Sequence, residues 1–291
     1  MEFIQRHGGL FARAGDGLSR AQTAVFQDLT GQVARGEYED AEVRAQAYAD
    51  RPRRPWDRSS SHLPVWLART IAVTAAVLHG RRSHVLAELD ALTAELRETS
   101  GGDRNVLLVL RINRAVVLLG EEQYGKAEAE ASDVLGEVTR LAHLAQVADL
   151  ELSALACLAE ALCGQNRFEE AEAVARGNLP RAAGNRASSF RYLLVCSLNG
   201  QSRYEEALAE AVQPTPPVSR AGSGQPAMAA AAALHALDRR DEAEVTARQA
   251  LSACDEFRHP DHPRIREARD LLTRITAGKP PRDAPDTEPR S

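Results

Sequence analysis

Apolar positions along the chain recur at helical spacing in short stretches that come in pairs. Each pair is joined by a polar turn. The clearest runs from Leu158 to Ala175. Leu158, Ala159 and Leu162 form one stripe, Phe168, Ala171, Val174 and Ala175 form a second, and Gly164-Gln-Asn-Arg lies between them. One such hairpin cannot bury both stripes, whereas a stacked series of hairpins can. The same pattern predicts pairs from Ser19 to Pro52, from Leu63 to Glu98, from Val106 to Leu141, from Leu144 to Pro180, from Ser188 to Val212 and from Pro226 to Phe257, and a last helix from Pro263 to Ile275 that caps the open end. Ser19 reads as the N-cap of the first helix.

Two interruptions and two ends fall outside the pattern. Residues 51–61, with Pro52, Pro55 and three serines, and residues 214–224, with three prolines, read as loops. Residues 1–18 are expected to be an N-terminal extension or cap, 19–276 the helical repeat domain, and 277–291, with four prolines and no apolar period, a disordered tail.

The alanines that close the turns align as Ala41, Ala87, Ala127, Ala171, Ala207 and Ala243, at intervals of 46, 40, 44, 36 and 36 residues. An aromatic stands three residues earlier in four of them, as Tyr38, Tyr124, Phe168 and Tyr204; His84 and Arg240 hold the place in the others. The ring is expected to wedge between the two helices of its own pair. Gly36, Gly80, Gly120, Gly164 and Gly200 end the first helices and are expected to supply the freedom of a C-terminal cap.

Glycine, aromatic, then Glu-Glu-Ala after an amphipathic helix resembles the tetratricopeptide repeat, over roughly residues 19–275. The intervals exceed the family's usual 34 residues. With Arg111-Ile-Asn113-Arg-Ala115 and His259-Pro-Asp-His262-Pro, they are similar to the longer repeats of kinesin light chains and of actinobacterial regulatory proteins. The chain departs from the family where three later turns place their glycine two residues early, and where the second and sixth units lack the aromatic. The resemblance implies an all-α solenoid of about six helix-turn-helix hairpins in a right-handed superhelix, whose first helices line a concave groove for a peptide or partner helix. In that register Arg69, Asn113, Glu160, Tyr192, Asn199 and His235 turn toward the groove.

Composition agrees with close-packed helices. Hydrophobic residues make up 44% and aromatics only 4%, so small side chains set the helix spacing. A net charge of −5 provides no general attraction for nucleic acid. The exception is the segment holding Arg51, Arg53, Arg54 and Arg58 with Trp56, which could meet phosphate and leaves a nucleic-acid-linked transcriptional regulator as the alternative function. Only Lys126 and Lys279 of the 36 basic residues are lysine, a skew that points to a GC-rich bacterial coding sequence.

Chemistry is thinly represented. Cys157, Cys163, Cys196 and Cys254 lie within helical patterns with no CxxC spacing and read as free buried thiols of a reducing compartment. Cys254, His259 and His262 are metal-ligand types, but three ligands at C-x4-H-x2-H spacing fall short of a zinc site. The adjacent carboxylates Glu169-Glu170 and Glu205-Glu206 point about 100° apart on a helix and cannot work as an acid-base pair. No phosphate-binding glycine loop is present. Residues 63–78, interrupted by Arg69, are too short for a bilayer core of about 30 Å, and the N-terminus shows no basic start before an apolar run. The expectation is a cytoplasmic, non-catalytic interaction module without metal or cofactor, binding a protein or peptide; the oligomeric state is left open.

Overall fold

The computed structural model describes residues 18–51, 62–80, 85–98, 104–141, 148–213, 224–255 and 262–278. The N-terminal extension, most of the basic segment including Arg53, Arg54 and Arg58, His259 and the tail lie outside them. The described residues form thirteen α-helices and one 3-10 turn, with no strand among them. In chain order these are α1 (Arg20–Arg35), α2 (Tyr38–Ala49), α3 (Leu63–His79), α4 (Val85–Glu98), α5 (Arg104–Gly120), α6 (Tyr124–Arg140), α7 (Ala148–Gly164), α8 (Phe168–Asn178), α9 (Gly184–Gly200), α10 (Tyr204–Ala211), α11 (Gln225–Ala236), α12 (Arg240–Asp255) and α13 (Pro263–Thr276). None of them is long and apolar enough to cross a membrane.

Helix starts follow local chemistry. The Ser19 side chain accepts from the Gln22 N–H while Gln22 reaches back to the Ser19 N–H, a reciprocal cap that fixes the start of α1. Pro64 and Pro226 occupy first-turn positions of α3 and α11, where a missing N–H costs nothing. The largest extension beyond expectation is at α9, which begins at Gly184, four residues before Ser188.

The tight turns share one geometry. The N–H groups of Glu37, Gln123, Arg167, Arg203 and Arg239 donate to the carbonyls of Gln32, Leu118, Leu162, Leu198 and Leu234 at 2.9–3.0 Å, each bond spanning five residues. The residue just before each donor is left-handed: Gly36, Glu122, Asn166, Ser202 and Asp238, with φ of 59–82°. Gly36 and Gly80 therefore cap their helices as expected, but Gly120, Gly164 and Gly200 do not. They are the last helical residues, two positions before the left-handed one.

Gly164 and Gly200 serve packing instead. A β-carbon on Gly164 would run into the ring of Tyr124, and one on Gly200 into the ring of Phe168. Each aromatic thus sits against the end of the next pair's first helix and not inside its own pair, as the sequence reading had it. The same junctions carry a polar clamp. Gln165 Nε2 and Arg167 Nη1 donate to Glu128 on α6 at 2.7 Å, and Gln201 Nε2 and Arg203 Nη1 donate to Glu172 on α8 at 2.7 Å.

The closing alanines Ala41, Ala127, Ala171, Ala207 and Ala243 are fully buried. Ala87 is exposed and Val85 is buried, so the second unit is in register at Val85. The left-handed Gly80, five residues before Val85, confirms the shift. From Val85, buried Leu89, Leu92 and Leu96 repeat the spacing of Ala127, Ala131, Val134 and Val138 on α6.

Packing is sequential, and it has two layers. Each even-numbered helix packs against the odd-numbered helices before and after it. The odd helices also touch one another along the series, α3 on α5, α5 on α7, α7 on α9 and α9 on α11, whereas the principal contacts include no pair of even helices. The odd helices thus form an inner layer packed along its own length, with the even helices outside it. Their apolar residues join the four clusters of the core, and Tyr192 packs against the last two.

Candidate functional site

The inner layer is where the six groove candidates can be judged. Arg69 on α3 turns to its own pair: its Nη1 donates to Glu95 on α4 at 2.6 Å, and Trp66 Nε1 donates to the same carboxylate at 3.0 Å. Asn113 is buried on α5, with Nδ2 donating to Thr74 Oγ1 on α3 at 2.7 Å. Asn199 Nδ2 donates to the Ala229 carbonyl on α11 at 2.9 Å. These three side chains tie neighbouring helices together. His235 is half-buried near the end of α11. Arg51, the one described residue of the basic segment, lies exposed over the Tyr48 ring at 5.3 Å.

Glu160 on α7 and Tyr192 on α9 come together, and α13 joins them. Arg264, two residues into α13, places Nη2 3.9 Å from Glu160 Oε1; the two side chains are 24% and 39% exposed, so the pair is partly desolvated. Burial works to lower the Arg264 guanidinium, but Glu160, then Tyr192 and Glu267, raise it overall. The Tyr192 hydroxyl is pushed well above its ordinary value, first by burial and then by Cys196, Glu267 and Glu160. It stays neutral at physiological pH and offers an aromatic face, not an anion.

The start of α13 reaches further. His262 is buried, and its Nδ1 accepts from the Arg264 N–H at 3.1 Å, capping the helix. Its ring lies on Gly80 at the end of α3, where an added β-carbon would be 2.5 Å from His262 Cδ2. Residues 182 positions apart are therefore neighbours. The expectation that α13 merely caps an open end is incomplete. It packs on α12 and α11 as a cap would, and its first turn also meets α3 and α7. Local periodicity held no signal for Arg264 or His262, because it reports which face of a helix is apolar and not which distant helix end that face reaches.

The remaining sequence candidates resolve simply. All four cysteines are free. Burial, followed by the charge of Glu160, pushes the Cys163 thiol up to about 12; burial first, then Glu160, also pushes Cys157 up to about 12. Protonated thiols of this kind supply no thiolate for attack or ligation. Glu170 and Glu206 pair with Arg167 and Arg203 on exposed turns. Arg111, within the segment that resembles kinesin light chains, is buried and bonds Glu130 and Glu137 on α6 at 2.6 Å, so its charge braces a helix pair. No group of three or more His, Cys, Asp or Glu that could hold a metal is present among the described residues. Compared with protein-family models, curated proteins and solved structures, the chain matches none.

Proposed function

We propose that the chain is a protein-interaction module of tetratricopeptide-like design: six helix pairs in a right-handed superhelix, with the inner face of the odd helices taking a peptide or partner helix. The observation that supports this reading is the two-layered packing, in which successive odd helices touch one another along the series. Solenoids use such surfaces for binding. The side chains best placed to meet a partner are Glu160, Tyr192 and His235. Tyr192 adds a large, rigid contact area at low entropic cost, and Glu160 is a half-exposed anion beside it. Asn113 and Asn199, bonded to Thr74 and to the Ala229 carbonyl, contribute order to the surface.

The test is photo-cross-linking from a benzoylphenylalanine placed at position 235 of the full chain, in cells that express it. A discrete adduct with a second protein, lost when an excess of unlabelled chain is present, is the expected result. Adducts confined to the chain itself, with salt-sensitive retention on DNA, would favour the regulator reading through the basic segment instead, since counterion release makes such binding fall steeply with salt.

A further inference from the structure

The buried His262 side chain stands between the end of α3 and the start of α13. On the α3 side its ring fills the space beside Gly80, where an added β-carbon would come within 3.0 Å of three of its carbons. On the α13 side its carbonyl accepts from the Ile265 and Arg266 N–H groups, and Nδ1 accepts from the Arg264 N–H at 3.1 Å. The Arg264 amide is therefore bonded by the imidazole itself. A neutral imidazole has one donor nitrogen and one acceptor, so with Nδ1 accepting the ring carries its proton on Nε2. A second proton can enter only at Nδ1. There it would face the Arg264 N–H, in a buried place and at a helix start that disfavours cations. Contacts of the Nε2 proton are common to both forms and leave this conflict in place. The carbonyl end of α3 attracts a charged ring, but it cannot give Nδ1 back its lone pair.

The groups around this contact come from five helices. Arg264 and Glu267 lie on α13, Glu160 on α7, Tyr192 on α9 and Cys254 on α12, and His79 precedes Gly80 on α3 beside the Tyr38 ring. Glu160 is 3.9 Å from Arg264. Arg81, Arg82 and Asp261 adjoin the contact in sequence and lie outside the described residues. Among the described groups named here, His79 is the other imidazole, and its ordinary titration falls in the same range.

We propose that His262 is a pH-sensitive latch: the neutral ring joins the start of α13 to the end of α3, and acid releases it. The latched ring holds one proton and the released ring takes up a second, so the released form binds more protons and falling pH favours it. Ile265, Ala268, Leu271 and Ile275 are buried, and the last three pack with residues of α11 and α12, so the helix keeps its seat in both forms. Only the ring and the cap at Arg264 let go. Acid thus opens the seam between α3 and α13 without unfolding the last helix. The inference goes beyond the interaction reading and requires no partner.

The experiment follows hydrogen exchange of the Arg264 amide in the full chain by nuclear magnetic resonance, with each rate divided by its intrinsic rate at the same pH. A released ring that titrates at the ordinary histidine value of about 6.5 multiplies the open population about tenfold between about pH 7.5 and about pH 5.5. The Arg264 amide of the wild type should therefore lose about tenfold of its protection over that interval, while the amides of Leu271 to Ile275 keep theirs. His262→Asn retains a capping acceptor that does not titrate, and its Arg264 amide should be equally protected at both pH values. His262→Asp gives the same result should His262→Asn fold poorly, since its carboxylate titrates below this interval. His79→Gln should keep the wild-type loss. Unchanged protection of Arg264 in the wild type overturns the latch, and so does an equal loss in a His262 variant. Abolition of the loss by His79→Gln overturns it as well, because the titrating ring would then be His79.

Discussion

The junctions at Gly164 and Gly200 and the junction that follows them at Ala236 solve one packing problem in two ways. At the first two, a ring from the preceding pair lies on a glycine, and an arginine and a glutamine from the turn grip a glutamate on the preceding helix. At the third, Ala236 stands for the glycine, Leu237 for the glutamine and Leu208 for the glutamate. Leu208 packs with both of the last clusters, and Arg239 pairs with Glu242 in its own turn. Glycine and clamp thus change together across these three junctions, while the preceding pair keeps an aromatic, Tyr204, at the third. A ring lodged at the helix end brings the turn close to the preceding helix, where the short polar bonds form; at Ala236, Leu208 supplies apolar packing in place of the glutamate.

Substitutions can break this contrast. Phe168→Ala removes the ring at Gly200 and should lower stability by about 3 kcal/mol, measured by denaturant midpoint. An effect below about 1 kcal/mol would mean the ring only rests on the surface. Gly200→Ala should cost roughly 1–2 kcal/mol, the strain of overpacking against the ring less the gain in helix propensity. Gly136, exposed within α6 with nothing within 4 Å of an added β-carbon, supplies the opposite sign. Gly136→Ala should raise stability by roughly 0.5–1 kcal/mol. If both glycines respond alike, the ring contact does not set the junction.

The clamp should give the smallest effect and the clearest pH signature. Hydrogen bonds from Gln165, then Arg167, hold the Glu128 carboxyl below its ordinary value of 4.5. A depressed folded value means that the stabilisation is present above about 4.5 and is lost as pH falls through the lower value. Glu128→Gln should therefore change Tm little at neutral pH, a few tenths of a kcal/mol, and make the decline in Tm between about pH 5 and about pH 3 shallower. A parallel decline in both proteins would show that the clamp does not form.

Much of the architecture was legible because period and turn chemistry are local. The apolar stripes placed the helices, Ser19 marked the first start, and five of the six aligned alanines are fully buried. What failed was also specific. Ala87 attracted the alignment because it is an alanine, while the buried position is Val85: residue type alone cannot tell a close crossing from an exposed alanine two positions away. Gly164 and Gly200 looked like caps because glycine tolerates positive φ, yet Asn166 and Ser202 adopt it and the glycines make room for rings. Arg69, Asn113 and Asn199 were legible as residues on inner helices, but their bonds to Glu95, Thr74 and Ala229 depend on which helices become neighbours. The approach of α13 to α3 and α7 depends on curvature summed over the whole array, and no single unit encodes it.

That approach is the most direct test of the account, because it alone joins the last helix to the end of α3, through the His262 ring on Gly80. In the wild-type chain, selectively labelled at glycine and histidine, a nuclear Overhauser cross-peak between the His262 Hδ2 proton and the Gly80 α-protons is the expected result. Cross-peaks from His262 to residues of α12 and α13 alone would mean that the start of α13 does not reach α3, and the long-range contact on which the account rests would fall.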